Sequence, residues 1–150
     1  MKKEQKPTIP TNYLPKQLSK KDRATQKKGL LKTRKDYKKG KFYERKKVKT
    51  FKSKPSKHVA KAKEMYNVDK IGATAELAKA TNCSIGALRK IIKKGKGAFY
   101  SSGSRPNQTA SSWAIARLAS AITGGKASKV DRAILEEGCS ANSRALQLAQ

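Results

Sequence analysis

Acidic side chains are scarce in this 150-residue chain: ten Asp and Glu stand against 37 Lys and Arg, a formal net charge of +27. A compact monomer with that excess repels itself, so a polyanion or an acidic protein surface is the expected counterpart. Histidine occurs once, at His58, within a basic stretch and with no acidic neighbour in sequence, so it is expected to face solvent. Asp131, Glu136 and Glu137 fall on or near one helix and read as solvated charges rather than an acid/base pair. The two cysteines, Cys83 and Cys139, make no disulfide framework and supply too few ligands for a structural zinc site. They are expected to be reduced and half-buried, and neither has an evident activating base. No apolar run approaches the roughly 18 residues of a membrane span. Met1-Lys2-Lys3-Glu4-Gln5-Lys6-Pro7 lacks the apolar stretch of a secretory signal, which points to a reducing, non-secretory compartment. Catalytic, cofactor-binding and metal-ligating residues are therefore all expected to be absent, as is a small-molecule substrate.

The positive charge is concentrated at one end. Residues 1–63 hold 24 basic and 4 acidic side chains, whereas residues 64–150 hold 13 and 6. Residues 1–57, punctuated by Pro7, Pro10, Pro15, Gly29, Gly40 and Pro55, have the composition of a disordered segment. Yet five of the nine aromatic residues lie there: Tyr13, Tyr37, Phe42, Tyr43 and Phe51. Ser19-Lys20-Lys21-Asp22 is a capping box with Asp in place of the usual Glu or Gln. A helix from about residue 19 into the thirties would carry Leu30, Leu31 and Tyr37 near one side, a stripe too thin to fold alone. The expectation is a basic arm over residues 1–57, extended or partly helical, that orders on a partner. Its rings, with the cations Lys38, Lys39, Lys41, Arg45, Lys46 and Lys47 between them, can neutralise phosphates and stack on bases, or anchor in protein grooves.

The rest reads as all-α: a small helical domain over 58–139 and a C-terminal tail over 140–150. Ser56 can cap a helix through Val59, Ala62, Met65 and Tyr66, Thr74 one over Ala75–Ala80, and Ser84 one over Ile85–Lys94 that ends at Gly95-Lys96-Gly97. Thr109 starts a helix whose Ile115, Leu118, Ala119 and Ile122 follow the helical period, stopped by Gly124-Gly125. A last helix, about Ser128–Glu137, would bury Val130, Ala133 and Ile134. Strand signals are nearly confined to Lys47–Phe51, through Val48, Thr50 and Phe51.

Residues 75–91 have the layout of a helix-turn-helix. Leu77 anchors the first helix, Ala78 is small where the helices meet, Asn82 suits a left-handed turn, and Leu88 and Ile91 anchor the second helix. The second helix would offer Ser84, Arg89, Lys90 and Lys93 to a groove; an ordinary helical hairpin would use the same turn. Ile85 and Gly86 offer base edges no hydrogen bonds, which weighs against sequence-specific readout. From Lys93 to Gln108 the glycines would let backbone amides approach an anion, with Lys94, Lys96 and Arg105 supplying charge. The alternative is a packed turn anchored by Phe99, Tyr100 and Trp113. It is no nucleotide phosphate loop, because the Gly-Lys-Ser/Thr ending is missing.

Several stretches carry a resemblance: the run from Lys94 to Thr109 (KGKGAFYSSGSRPNQT), then Ser112-Trp113, Ala116-Arg117-Leu118-Ala119-Ser120, Thr123-Gly124-Gly125-Lys126-Ala127 and Val130-Asp131. Tyr13-Leu14-Pro15 and Phe51-Lys52-Ser53-Lys54 add to it. From Asn12 to about Cys139 the chain resembles a functionally uncharacterised family of small basic proteins of large eukaryotic DNA viruses, of the phycodnavirus and mimivirus type. The resemblance implies a virion protein made in the host cytoplasm or nucleus, and supplies no catalytic residues. The leading expectation is a minor capsid protein whose arm threads between or beneath capsid subunits. The alternative is a virion-packaged DNA-binding protein, with the arm on phosphates and the helix-turn-helix in a groove. A ribosomal protein would share the bare signature of a small domain and basic arm.

Overall fold

The computed structural model describes residues 9–51 and 56–149. Among them lie eight α-helices, one 3-10 turn and no strand, so the fold is all-α. The chain divides into two compact units, Met1–Ser53 with Ser101–Gln108, and Lys54–Tyr100 with Thr109–Gln150.

The first unit is built on α1 (Lys20–Lys38), preceded by a 3-10 turn at Thr11–Tyr13. Ser19 Oγ accepts from the Asp22 amide at 3.1 Å, as the capping box requires. Asp22, one methylene shorter than Glu, turns instead to Thr50, accepting from its amide at 2.9 Å and its hydroxyl at 2.5 Å. Thr50 Oγ1 in turn accepts from the Ser19 amide at 3.0 Å, so the box is closed through a third residue. The buried row on α1 is Gln26, Leu30 and Thr33, at helical spacing. This differs from the expected Leu30, Leu31 and Tyr37, because the surface facing the row is largely polar backbone.

That backbone belongs to two segments. Residues 41–51 return along α1 in extended form, with Val48 buried and the Tyr43 carbonyl accepting from Thr33 Oγ1 at 3.3 Å. Ser101–Gln108 closes the unit. Arg34 donates to the Ser102 carbonyl from Nε at 3.1 Å and Nη2 at 2.8 Å, and Gln26 Nε2 to the Ser104 carbonyl at 3.3 Å. Asn107, at φ 64°, accepts from the Val48 amide at 2.7 Å and donates to the Val48 and Phe51 carbonyls at 3.0 and 2.7 Å. The strand candidate Lys47–Phe51 is thus paired by one amide side chain instead of a ladder. Gly103, at φ 108°, lies where a Cβ would sit 2.5 Å from Leu30 Cδ2. Within the expected arm, residues 9–51 meet a complementary surface in residues 101–108 of the same chain. Its chemistry is side chain to carbonyl, which hydrophobic periodicity does not register.

The second unit contains α2 (Lys57–Tyr66), α3 (Ala75–Thr81), most of α4 (Ile85–Ser101), α5 (Ala110–Ile122), α6 (Lys126–Val130), α7 (Arg132–Gly138) and α8 (Arg144–Ala149). Helix α5 is central and packs on α2, α6 and α8. Ala62, Tyr66, Leu77, Leu88, Ile91, Leu118, Ile122, Leu135 and Leu146 form the core. Ser56, Thr74 and Thr109 cap as expected; Thr109 and Ser112 close a reciprocal box at 3.0 and 2.9 Å.

Four expectations are corrected in this unit. Helix α4 does not end at Gly95-Lys96-Gly97 but continues to Ser101. A Cβ on Gly95 would meet Ala114 Cα at 2.7 Å, so this glycine serves close helix contact rather than termination. The expected helix over 128–137 is broken at Asp131 into α6 and α7; Val130 is 67% exposed, Ala133 is exposed, and Leu135 fills the core. The tail over 140–150 contains α8, whose Ala145, Leu146 and Ala149 are buried. Cys83 and Cys139 are joined in a disulfide across 56 residues instead of being reduced thiols. Beside it the Ser84 amide donates to the Gly138 carbonyl at 2.8 Å and the Ser140 amide to the Asn82 carbonyl at 2.9 Å.

Candidate nucleic-acid interface

Helices α3 and α4 follow one another across the turn at Asn82 that residues 75–91 encode. Thr74 Oγ1 accepts from the Leu77 amide at 3.1 Å. Asn82 sits at φ 55°, ψ 38°, the left-handed conformation the turn demands. Leu77, Leu88 and Ile91 are fully buried. Ser84 caps α4, its exposed Oγ accepting from the Ala87 amide at 3.1 Å, and a Cβ on the adjacent Gly138 would press within 2.4 Å of Ala87 Cβ. The Gly138–Ser140 segment therefore covers the Ala87 side of α4.

The remaining surface of α4 is basic, and Arg89, Lys90, Lys93, Lys94 and Lys96 are all exposed. Helical geometry sorts them into two stripes. Lys90 and Lys94 face acids: Lys90 Nζ lies 3.8 Å from Glu137 Oε1, and Lys94 Nζ 4.0 Å from Asp131 Oδ1. Arg89, Lys93 and Lys96 share the other stripe, and none of them enters an ion pair among the described residues.

This stripe leads into an open groove of about 290 Å³. Ile71, Ala73, Ile92 and Ile115 give it apolar walls, and Lys70, Thr74, Lys96 and Ser111 its polar ones. Lys70 and Ser111 carry no pattern of their own, and sequence reasoning missed both.

Asp131 also differs from expectation. It is fully buried at the break between α6 and α7, and Arg117 donates to its carboxylate from Nε at 2.9 Å and Nη2 at 2.8 Å. The hydrogen bonds to Asp131 hold the Arg117 guanidinium above its ordinary pKa, against the opposing effect of burial. The pair joins α5 to that break across 14 residues of sequence, a relation without a local signature.

The first unit holds the residues expected to bind a partner. Tyr37, 36% exposed, and Phe42, 67% exposed, have ring centroids 6.2 Å apart. Lys38, Lys39, Lys41, Lys46 and Lys47 are exposed around them along the return segment. Tyr43 is half-buried under Lys32, whose Nζ is 4.3 Å from the ring centroid. Tyr13 accepts from Gln26 Nε2 through its carbonyl at 3.3 Å, and Phe51 is half-buried beside Asn107. Arg45 differs: it turns inward and donates to Ser104 Oγ, and burial lowers its pKa to about 10. Arg105 is exposed on the closing loop. Among the described residues no cluster of three or more His, Cys, Asp or Glu could hold a metal, and no helix is long and apolar enough to cross a membrane.

Fold and surface together define a small, strongly basic, all-α protein in which a left-handed turn at Asn82 joins α3 to α4, with a stripe of α4 cations that enters no ion pair among the described residues. The chain belongs to the family of unknown function DUF5824, which matches residues 10–137. No curated protein and no solved structure matches it.

Proposed function

We propose that this is a virion protein of a large DNA virus that binds nucleic acid through its phosphates. The viral setting rests on the resemblance carried by residues 94–131. The observation that carries the activity is the stripe Arg89, Lys93 and Lys96 on α4, three exposed cations outside any ion pair among the described residues, on the second helix of the helix-turn-helix pattern read from residues 75–91. Ile85 and Gly86 at the head of that helix give base edges no hydrogen bonds, so binding is indifferent to sequence and driven by counterion release. Much of the charge in the first unit lies on exposed lysines and adds to the same attraction.

A second reading is the minor capsid protein that threads its arm among shell subunits. The adjacent exposed rings of Tyr37 and Phe42 favour it, since apolar anchors framed by Lys38, Lys39 and Lys41 suit a protein groove with an acidic rim. It ranks second because the segment that would thread is packed with residues 101–108.

The test is a salt titration of affinity for random-sequence duplex DNA. Binding should weaken steeply with salt, and Arg89→Gln, Lys93→Gln and Lys96→Gln should each lower the slope by about 0.9. Absence of salt-dependent binding, with cross-links from Lys38, Lys39 or Lys41 running to shell proteins, would establish the second reading instead.

A further inference from the structure

We propose that the groove between Lys70 and Ser111 seats the sugar-phosphate backbone of one strand of the bound nucleic acid, a contact distinct from that of the α4 stripe. The inference rests on the nucleic-acid reading and adds to it a second point of attachment.

Continuity comes first. Lys96 belongs to the α4 stripe and also lines the groove, so a strand following Arg89 and Lys93 along α4 arrives there. The chemistry then matches a phosphodiester. Lys70 and Lys96 supply charge, Thr74 and Ser111 supply hydroxyls, and no acidic residue is among the lining residues. The Thr74 hydroxyl oxygen already accepts from the Leu77 amide, which leaves its proton to donate outward. Ile71, Ile92 and Ile115 offer an apolar wall on which the weakly polar face of a sugar rests while its phosphate meets the ammonium groups.

Size and shape exclude the competing occupants. About 290 Å³ is at the lower limit of small-molecule pockets, and the groove is open rather than enclosed, so it suits one unit of a polymer passing through. A protein partner would be anchored by aromatic or arginine side chains in a closed pocket, and the walls here carry neither.

The test uses the full chain and a labelled random-sequence duplex, with helix content and Tm measured for every variant. Lys70→Gln should lower the salt slope by about 0.9 and weaken all sequences alike. Ser111→Glu places a carboxylate in the first turn of α5, where a negative charge is tolerated or stabilising, so Tm should hold or rise while affinity falls several-fold. Should the wild type bind, with Arg89→Gln and Lys93→Gln each lowering the slope and Lys70→Gln and Ser111→Glu leaving it unchanged, the groove is overturned and the wider reading stands. Failure of the wild type to bind any duplex would overturn both.

Discussion

Arg117 and Asp131 form a two-pronged ion pair whose two ends differ in burial: the Asp131 side chain is fully buried, whereas that of Arg117 is 20% exposed. The asymmetry sets the order of mutational cost. Removing the cation strands a carboxylate in the core, with only Lys94 at 4.0 Å to compensate, and Arg117→Met should cost about 3–5 kcal/mol. Asp131→Asn leaves a guanidinium that can turn toward water, and should cost less. Chemical denaturation of the two variants checks the order; equal losses would contradict it.

A dependence on alkaline pH follows from Tyr66. Its hydroxyl donates to the Ile122 carbonyl in the core, and burial pushes its pKa up to about 12, against a smaller opposing effect of Arg144. The unfolded chain releases this proton near the ordinary tyrosine value, about 10, while the folded chain retains it. The stability from Tyr66 is therefore complete below about pH 10 and is lost as pH rises toward 12. Lysines titrate in the same range, so the measurement is a difference: denaturation midpoints of wild type and Tyr66→Phe should converge between about pH 10 and about pH 12. A constant gap would contradict the assignment.

Two glycines of α4 should respond to alanine with opposite signs. A Cβ at Gly95 meets Ala114 Cα at 2.7 Å and Ala114 Cβ at 3.0 Å, backbone and near-backbone atoms that cannot swing aside. Gly95→Ala should cost about 1–3 kcal/mol. At Gly86 the nearest atom is Ser84 Oγ at 3.8 Å, so Gly86→Ala should stabilise by about 0.5–1 kcal/mol through helix propensity alone. Thermal melts of the two variants distinguish the roles.

Asn107 joins the return segment of the first unit to its closing loop with three hydrogen bonds and does so from a left-handed backbone. Asn107→Gly keeps the backbone and loses the bonds; Asn107→Ala loses both. The first should cost about 1–3 kcal/mol and the second about 1 kcal/mol more. Hydrogen exchange of the Val48 amide, which donates to Asn107 Oδ1, reports on this locally. Unchanged protection in both variants would show that the loop is held by other contacts.

The candidate interface was legible in part. Residues 75–91 announce α3, the turn at Asn82 and α4 because their determinants are neighbours in the chain: Thr74 caps three residues ahead, Asn82 adopts its turn unaided, and Leu77, Leu88 and Ile91 follow helical spacing. The exposed stripe of Arg89, Lys93 and Lys96 follows from the same spacing. Its distinction from Lys90 and Lys94 does not, since it depends on Glu137 and Asp131 arriving from α7 and from the break before it. Ser84 caps its helix, as its place ahead of Ile85 predicts. Lys70 and Ser111 join a groove only because α3, α4 and α5 bring distant residues together.

Local chemistry in the chain was enough to specify an all-α fold, the helix starts at Ser19, Ser56, Thr74 and Thr109, and a strongly basic surface, for caps act over three residues and charge over composition. Packing alone assigned Arg45, Asn107 and Asp131 to structural tasks, paired Cys83 with Cys139, and carried α4 through Gly95. Each of those outcomes turns on an atom brought near from far along the chain, and a pattern of neighbours holds no record of such an approach.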